Sequence, residues 1–351
     1  MPAVGNRPTI ADIAKRVGVS PGAVSFALNG RPGVSEQTRA RILEVAREMN
    51  WRPHRAARAL GGAQAGAVGL VLARDPRTLG SEQFYTQILY GMQDVLSARS
   101  SAVQIQLVRD LAAEIDLYRD WASEHRVDGL VLVDLRLDDP RIDVVRELGL
   151  PAVALGLPGE PGRLPSVWAD DAEAMTTIVD YLAALDHRRI AHIAGPPVYQ
   201  HTARRTAALR EQAAARGLRA AESVPTDFSD AEGATATRAL LSRADRPTAI
   251  VYDSDLMAAA GLGVALEMGI EVPRALSIVS FDDSVLTRIV HPALTCLSRD
   301  TYALGAQVAT TLLQAIADPG SRESVRTETP RLVVRGSTAR AATATAGTVA
   351  D

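Results

Sequence analysis

Four apolar segments of this chain end directly in charged or hydroxyl side chains. The residues at these positions are Arg74, Asp75, Asp134, Asp253, Ser254, Asp255, Asp282 and Asp283. Carboxylates and an arginine suit a polyhydroxylated ligand, because each ligand hydroxyl can both donate and accept a hydrogen bond. If the apolar segments are parallel strands, their carboxyl ends meet at one edge, where open α/β sheets bind ligands. The spacing therefore predicts a ligand cleft.

The same carboxylates leave an enzyme open as an alternative. Asp255 and Asp282 could act as the general acid and base of a sugar-processing enzyme. However, the sequence has no phosphate-binding glycine loop and no nucleophile elbow. Cys296 is the only cysteine, and the six histidines lack the spacing of metal ligands. We therefore expect a chain that is not an enzyme, with no catalytic residues, no metal and no cofactor.

Strands and helices alternate in the larger part of the chain, and this alternation must position the polar residues. The segments that read as strands are AVGLVLAR, AVQIQLV, VDGLVLVDL, PAVALGL, RIAHIAG, AIVYDSD and LSIVSFDD. Amphipathic helices are predicted over 84–99, 173–185 and 204–216. This pattern predicts parallel sheets in an α/β architecture. About 270 residues exceed the usual size of one core, so two lobes are expected.

The N-terminal part predicts three short helices, each with its own capping residue. A helix capped by Thr9 ends at Gly18, and a second helix is capped by Ser20 with Pro21 at its first position. A third helix is predicted over 35–50. Two short helices joined by Gly-Val-Ser form a helix-turn-helix, and the third helix closes a small core.

The charge of the chain is segregated. The first 60 residues carry ten Lys/Arg and four Asp/Glu, a net charge of +6, which leaves −9 for the remainder of a chain whose total is −3. A basic segment beside an acidic body indicates phosphate attraction at one end of the molecule.

Two sequence segments resemble the head of the lactose and galactose repressor (LacI/GalR) family of bacterial regulators. They read TIADIAKRVGVSPGAVSFALNG and VSEQTRARILEVAREMNWRPHRAARAL. The resemblance implies a sequence-specific DNA-binding transcriptional regulator that acts as a homodimer on pseudo-palindromic double-stranded operator DNA. It also implies a two-lobed, periplasmic-binding-protein-like domain of two doubly wound parallel sheets. On this basis we expect a repressor of carbohydrate-utilisation genes that a small sugar-like effector releases from its operator.

In a helix-turn-helix, the second helix enters the major groove with its first residues nearest the base edges. The expected DNA-binding residues of the head are Thr9, Ser20, Pro21, Gly22, Ala23, Ser25, Phe26 and Asn29. Many family members carry polar or charged side chains at the positions of Pro21, Gly22 and Phe26. Bidentate base recognition is therefore largely unavailable here, whereas Ala23 and Phe26 can touch a thymine methyl. The operator sequence stays open.

Residues 54–62 are too few to form a stable helix alone, so we expect them to order only on DNA. By resemblance, this segment is the family's hinge helix, in which Arg55, Ala57, Arg58 and Leu60 contact DNA. Leu60 would insert between base pairs of the minor groove, which bends the duplex. An ordinary Ala/Arg linker is the alternative.

The resemblance also assigns positions in the cleft, with Arg205 and Asp282 as the strongest. The family's Asn-Asp pair falls on Ser254 and Asp255, and a usual aspartate is replaced by Gly156. These departures indicate a ligand that differs from, or is larger than, an ordinary pentose or hexose. The expected effector-binding set is Arg74, Phe84, Tyr85, Trp168, Tyr199, Arg205, Phe228, Ser254, Asp255 and Asp282. For the aromatic residues, a place in the core is the alternative.

We expect four parts along the chain: the head (1–53), the hinge helix (54–62), the two-lobed effector-binding and dimerisation domain (63–338) and a disordered Ala/Thr-rich tail (339–351). Lobe 1 is expected at about 66–157 and 295–320, and lobe 2 at about 163–291 and 325–336. The chain would then cross between the lobes near 157–165, 291–295 and 331–335.

The sequence shows no leader before the first helix and no long apolar span. We therefore expect no membrane partner and a cytoplasmic, nucleoid-associated location. Two alternatives stay open besides the enzyme. One is a secreted sugar-binding receptor, which would explain the lobes but not the head. The other is a regulator that responds to a nucleoside, a phosphosugar or a co-repressor.

Overall fold

The structure, a computed structural model, describes residues 8–51, 64–74, 83–156 and 164–342. The chain divides into two compact units, Met1–Ala65 and Gly66–Asp351. The segment predicted as a hinge helix, with Arg55, Ala57, Arg58 and Leu60, lies outside the described residues, as does Asp75.

The first unit contains the three predicted helices, α1 (Ile10–Val17), α2 (Pro21–Leu28) and α3 (Glu36–Glu48). Thr9 and Asp12 form a capping box at the start of α1, and Ser20 and Ser35 cap the other two helices. Each helix contributes a fully buried branched side chain to one core: Ile13, Val24 and Ile42. The helix-turn-helix prediction is confirmed.

The second unit contains two six-stranded sheets, one in each lobe. The strands of lobe 1 are β1 (Ala67–Leu72), β2 (Ala102–Leu107), β3 (Gly129–Leu132), β4 (Ala152–Leu155), β5 (Ser166–Trp168) and β11 (Ser324–Arg326), in the order β11-β5-β4-β3-β1-β2. The strands of lobe 2 are β6 (Arg189–Ala194), β7 (Ala220–Pro225), β8 (Ala249–Tyr252), β9 (Ser277–Ser280), β10 (Thr295–Ser298) and β12 (Arg331–Val333), in the order β12-β10-β9-β8-β6-β7. All pairs are parallel except β10 with β12.

Helices cover both faces of each sheet, as the sequence pattern predicted. They are α4 (Gln83–Ser97), α5 (Leu111–Ser123), α6 (Pro140–Glu147), α7 (Asp171–Ala184), α8 (Gln200–Ala215), α9 (Asp230–Leu241), α10 (Asp255–Glu267), α11 (Val285–Ile289) and α12 (Thr301–Ala317). In β1, Leu70 packs with Met92 of α4 in one core, while Val71 packs with Trp121 of α5 in the other. Burial on both faces explains why these strands are apolar throughout instead of alternating.

Helices α4 and α12 cross at two glycines. A Cβ atom on Gly91 would lie 2.0 Å from the Tyr302 carbonyl oxygen, and one on Gly305 would lie 2.1 Å from the Ile88 carbonyl oxygen. Because both obstacles are backbone atoms, the two helices can approach this closely only with glycine at the crossing.

The predicted lobe boundaries are wrong at three short strands. Strand β5 pairs with β4 and β11 pairs with β5, so both belong to lobe 1 and not to lobe 2. Strand β10 pairs with β9 and therefore belongs to lobe 2 and not to lobe 1. The chain crosses between the lobes at 169–170, 299–300 and 327–330. Strands of three or four residues are too short for their hydrophobic pattern to show which sheet they join.

Residues 337–338, at the end of the predicted effector-binding domain, and residues 339–342, at the start of the predicted disordered tail, are ordered. Ser337 is fully buried, where its hydroxyl donates to the Ile278 carbonyl at 2.6 Å and accepts the Thr295 amide at 2.8 Å. The Ala341 amide donates to the Leu185 carbonyl at 2.8 Å. Residues 337–342 thus form a C-terminal strap on lobe 2, held by backbone hydrogen bonds that the Ala/Thr-rich composition does not reveal. Residues 343–351 lie outside the described part of the chain.

In the described ranges, no helix is both long enough and apolar enough to span a bilayer.

Candidate ligand cleft and nucleic-acid interface

A cleft of about 1150 Å³, counting the part open to solvent, lies between the carboxyl ends of the strands of both lobes. Lobe 1 lines it from the end of β1, the start of α4, the ends of β3 and β4 and the start of α12. Lobe 2 lines it from α7, α8 and the segments after β7, β8 and β9. This is the edge that the sequence pattern predicted.

Eight of the ten predicted effector-binding residues line this cleft. They are Arg74, Phe84, Tyr85, Arg205, Phe228, Ser254, Asp255 and Asp282. Three aspartates from the strand-end pattern also line it: Asp134, Asp253 and Asp283. Topology explains the agreement, because parallel strands bring residues from distant parts of the chain to one edge.

The other two predicted residues are not part of the cleft lining. Trp168 ends β5, and its indole Nε1 donates to the Ser324 hydroxyl at 3.0 Å, while Arg326 lies over its ring. Tyr199 is buried just before α8, where it contacts lobe 1. Both predictions rested on family segments that border the cleft, and a segment does not determine which way one ring points.

Arg205 lies at the centre of a buried ion network. Its guanidinium donates to Asp171 at 2.9 and 3.0 Å and to Asp253 at 3.0 Å, and it stacks on the ring of Phe281 at 3.9 Å. His192 is fully buried behind Asp253 and bonds it at 3.0 Å. Burial alone would raise the pKa of Asp253, but Arg205 and His192 outweigh it and hold the pKa far below its ordinary value. Arg205 therefore holds lobe 2 together as well as facing the cleft.

Arg74 and Asp134 form a second ion pair across the ends of β1 and β3. Arg74 donates to the two carboxylate oxygens at 2.6 and 2.8 Å. Burial opposes ionisation of Asp134, yet the charge and hydrogen bonds of Arg74 lower its pKa below the ordinary value. The same guanidinium lies 4.5 Å from the ring centre of Phe228 in lobe 2.

Two further aspartates of the cleft, Asp255 and Asp282, differ in their partners. Asp282 accepts from Arg299 at 2.9 Å. Asp255 accepts the Leu256 amide at 2.8 Å, and none of the ion pairs within the described ranges includes it. Burial raises the pKa of Asp255, and the neighbouring Asp282 adds to this effect. Because no arginine pairs with Asp255 in these ranges, its carboxyl oxygens are less committed to protein partners than those of the paired aspartates.

Sequence reasoning missed three ionisable residues of the cleft: Asp171, His201 and Arg299. His201 precedes Arg205 by one helical turn on α8, and this spacing could have identified it. Its ring stacks on Tyr199 at 5.6 Å between ring centres. Burial first, and then the charge of Arg205, lowers the pKa of His201 to about 4. The imidazole is therefore neutral at pH 7.

Two of the departures from the family pattern have visible consequences. Gly156 has a φ of 94°, and none of the described residues has an atom within 4 Å of where its Cβ would be. Ser254 caps α10, and its hydroxyl accepts the Met257 amide at 3.3 Å. The serine hydroxyl is thus partly committed to the helix.

The predicted DNA-reading residues surround the start and outer face of α2. Pro21, Gly22 and Phe26 are exposed, and Phe26 has 43% of its surface accessible. Ala23 and Ser25 are half-buried.

Three polar side chains of the head that we predict to contact DNA form hydrogen bonds within the head itself. Thr9 and Ser20 use their hydroxyls as helix caps. The Asn29 amide donates to the Ser25 carbonyl at 2.9 Å, so a phosphate contact from it requires that this bond be shared or broken.

Within the described part of the chain, no group of three or more His, Cys, Asp or Glu side chains is arranged to hold a metal ion.

Comparison with known proteins gives two family matches. Residues 9–54 match "Bacterial regulatory proteins, lacI family", and residues 179–338 match "Periplasmic binding protein-like domain". The HTH-type transcriptional regulator CelR of Thermobifida fusca is 33% identical over 316 residues, which span 88% of this chain and 92% of that protein.

Two solved structures are similar over nearly the whole chain. A transcriptional regulator CelR–cellobiose complex is 30% identical with a TM-score of 0.69, covering 94% of this chain and 100% of the other. The lac repressor dimer bound to operator and the anti-inducer ONPF is 24% identical with a TM-score of 0.79, covering 95% of this chain and 100% of the other, and shows the same fold.

Proposed function

Because the chain belongs to the lacI family of bacterial regulatory proteins and is a DNA-binding transcriptional regulator, we propose that it represses carbohydrate-utilisation genes and leaves its operator when a sugar binds the cleft. The observation that supports this proposal is the composition of the cleft. Carboxylates and arginines come together there with Phe84, Tyr85 and Phe228.

This combination suits a neutral carbohydrate. Sugar hydroxyls can donate to carboxylates and accept from arginines, while aromatic rings cover the apolar faces of the sugar. The arginines of the cleft are already paired with aspartates, which lowers their attraction for a phosphate group. The cellobiose complex of a 30% identical regulator makes β-linked disaccharides the first effectors to test.

The mechanism we propose couples the cleft to the head. Two copies of the chain place their heads on half-sites about one helical turn, roughly 34 Å, apart on the operator. Sugar binding rotates one lobe against the other, changes the spacing of the two segments 54–62 and melts them off DNA. To change operator occupancy from about 99:1 to 1:99, the sugar must prefer one state by about 10⁴-fold. A cytoplasmic, nucleoid-associated location follows from this role.

The open space at Gly156 favours one alternative, a larger or non-sugar effector. A nucleoside would use the aromatic rings in the same way as a sugar, without needing as many carboxylates. A panel of ligands separates these two proposals.

The test is fluorescence anisotropy with DNA from upstream of the chain's own gene, at two salt concentrations, followed by a panel of cellobiose, other mono- and disaccharides and nucleosides. We expect salt-sensitive binding that one sugar abolishes. DNA binding that no member of the panel alters would contradict the sugar proposal, and failure to bind this DNA would contradict the operator proposal.

Two variants test whether sugar binding and operator binding depend on different parts of the chain. Asp255→Asn should weaken binding of the active sugar by about tenfold or more, because a charged acceptor is lost, while operator binding stays unchanged. Asp245→Asn makes the same chemical change at an exposed position outside the cleft lining and is the matched control. Leu60→Ala should show the reverse, with weaker operator binding and intact sugar binding. Equal losses in both assays for either variant would contradict the separation of roles.

A further inference from the structure

Two loops outside the cleft lining join the lobes through their backbones. The Leu137 amide of lobe 1 donates to the Val198 carbonyl of lobe 2 at 3.0 Å. The Gln200 amide donates back to the Leu135 carbonyl at 2.8 Å, and the Gln200 side-chain amide donates to the Arg136 carbonyl at 2.9 Å. The two loops thus pair like antiparallel strands, and we call residues 135–137 and 198–200 the clasp.

The clasp lies away from the three crossings of the chain. The chain leaves lobe 1 after β5 and leaves lobe 2 after β10. In lobe 1 the clasp follows β3, two strands away from β5 in the sheet. In lobe 2 the clasp follows β6, three strands away from β10. At the usual strand spacing these separations are about 10 and 14 Å. Lobes that pivot at the crossings must therefore move apart most at the clasp side of the cleft.

Tyr199 reinforces the clasp from within. Its ring is only 7% exposed and lies near two guanidinium groups of lobe 1, Arg74 at 5.7 Å and Arg136 at 5.9 Å from the ring centre. Contacts between a ring of one lobe and cations of the other are lost when the lobes separate. The clasp and the Tyr199 contacts therefore break together.

The lobe 1 half of the clasp is held rigidly. Arg141 is 3% exposed and donates to the Asp134 carbonyl at 3.1 Å and to the carboxylate of Asp139 at 2.6 Å. Asp139 in turn accepts the Arg136 amide at 2.9 Å, and Glu114 accepts from Arg141 at 2.8 Å. This buried network makes the loop move with lobe 1 as one body.

We propose that the clasp is a gate: its backbone hydrogen bonds hold the lobes closed over the cleft, so its strength sets how tightly an effector is retained, although no clasp residue lines the cleft. The effector role of the cleft rests on the proposed function above. Opening of the clasp involves only the two lobes, so its hydrogen exchange can be measured without an effector.

The perturbation is Leu137→Pro, which removes one donor of the clasp. Leu137 is a turn residue directly before Asp138, which has a φ of 51°, and proline is common at such a turn position. Leu137→Ala removes the same exposed side chain but keeps the amide and is the matched control. Gln200→Ala, which removes the side-chain bond to Arg136, is a second variant in case the proline alters the loop.

The first readout is hydrogen exchange at the Gln200 amide of the full chain. Loss of one hydrogen bond of a pair should speed this exchange by about three- to tenfold in Leu137→Pro, and not in Leu137→Ala. In Gln200→Ala the amide of residue 200 is compared after correction for its intrinsic exchange rate. If neither Leu137→Pro nor Gln200→Ala speeds exchange at this position, the two loops do not open as a unit and the proposal is overturned.

The second readout is binding of cellobiose, or of the panel member that releases the operator. The Kd should rise by a similar factor of about three to ten in Leu137→Pro and Gln200→Ala, mainly through faster dissociation. An unchanged Kd in both variants would overturn the gate even if exchange is faster. If no ligand of the panel binds the wild-type chain, the proposed sugar function fails while the exchange experiment still decides on the gate.

Discussion

His201 should make the folding stability of this protein fall at acidic pH, and one substitution should remove this effect. The imidazole faces Arg205 on its own helix and Asp134, Asp171 and Asp253 from neighbouring segments, and its pKa is lowered from 6.5 to about 4, first by burial and then by Arg205. The unfolded chain therefore takes up a proton at His201 near pH 6.5, whereas the folded chain stays neutral there until about pH 4. Between these values the unfolded state binds more protons, so stability falls as the pH falls.

The size of this effect follows from the two pKa values. At pH 7.5 neither state is protonated at His201, and the group contributes almost nothing to the pH dependence. At pH 5.0 the unfolded state is almost fully protonated and the folded state is not, which lowers the free energy of unfolding by about 2 kcal/mol. His201→Gln cannot take up this proton and should lack this part of the acid sensitivity.

The assay is urea unfolding of the full chain and of His201→Gln at pH 7.5 and pH 5.0. Loss of the stack on Tyr199 lowers the stability of the variant at both pH values and cancels in the comparison. His187, whose pKa is also lowered by burial, is present in both proteins and cancels as well. We expect the wild type to lose about 2 kcal/mol more than the variant between the two pH values. Equal losses would refute the burial of a neutral imidazole in this cleft.

Three further substitutions, one of them with a matched control, test the packing of the two-lobed unit. Arg205→Ala removes the cation that Asp171 and Asp253 share, while Arg204 still pairs with Asp171 and His192 still bonds Asp253. It should lower the free energy of unfolding by about 3 kcal/mol, measured by urea unfolding, so its loss of effector binding would not be specific. Gly305→Ala should cost about 3 kcal/mol in the same measurement because its Cβ meets backbone, whereas Gly263→Ala, with open space around it, should be neutral or stabilising. Ser337→Ala leaves two buried backbone groups without their partner and should lower stability by about 2 kcal/mol, seen as a lower Tm, and an unchanged Tm would show that the C-terminal strap contributes nothing.

The sequence was sufficient where local rules apply. Helix caps are local, so Thr9, Ser20 and Ser35 were sufficient to place the three helices of the head. Strand-end chemistry is nearly as local, because the parallel pair β8 and β9 must bring Asp253 and Asp282 to one edge of the lobe 2 sheet.

The sequence was not sufficient where the structure depends on contacts between segments that are distant in sequence. Strands β5, β10 and β11 are three or four residues long, and only their backbone partners assign them to a lobe. Tyr199 was predicted to bind the effector, with a place in the core as the alternative. It is buried against two arginines that lie more than sixty residues away in sequence, which no local pattern reveals. The ordered strap at 337–342 likewise depends on partners such as Leu185 and Ile278 that composition does not reveal.

The interleaving of the lobes determines the order in which the parts can be completed during synthesis. Lobe 1 needs α12 and β11, so its sheet is incomplete until residue 326 has left the ribosome, and lobe 2 needs β12 and the strap beyond it. The core of the head is complete once Trp51 has been added to the chain. Since domains generally fold as units from the N-terminus during translation, the three-helix head of each nascent chain is complete before either lobe of the second unit. A prematurely terminated chain would therefore retain the head but lack a complete two-lobed unit.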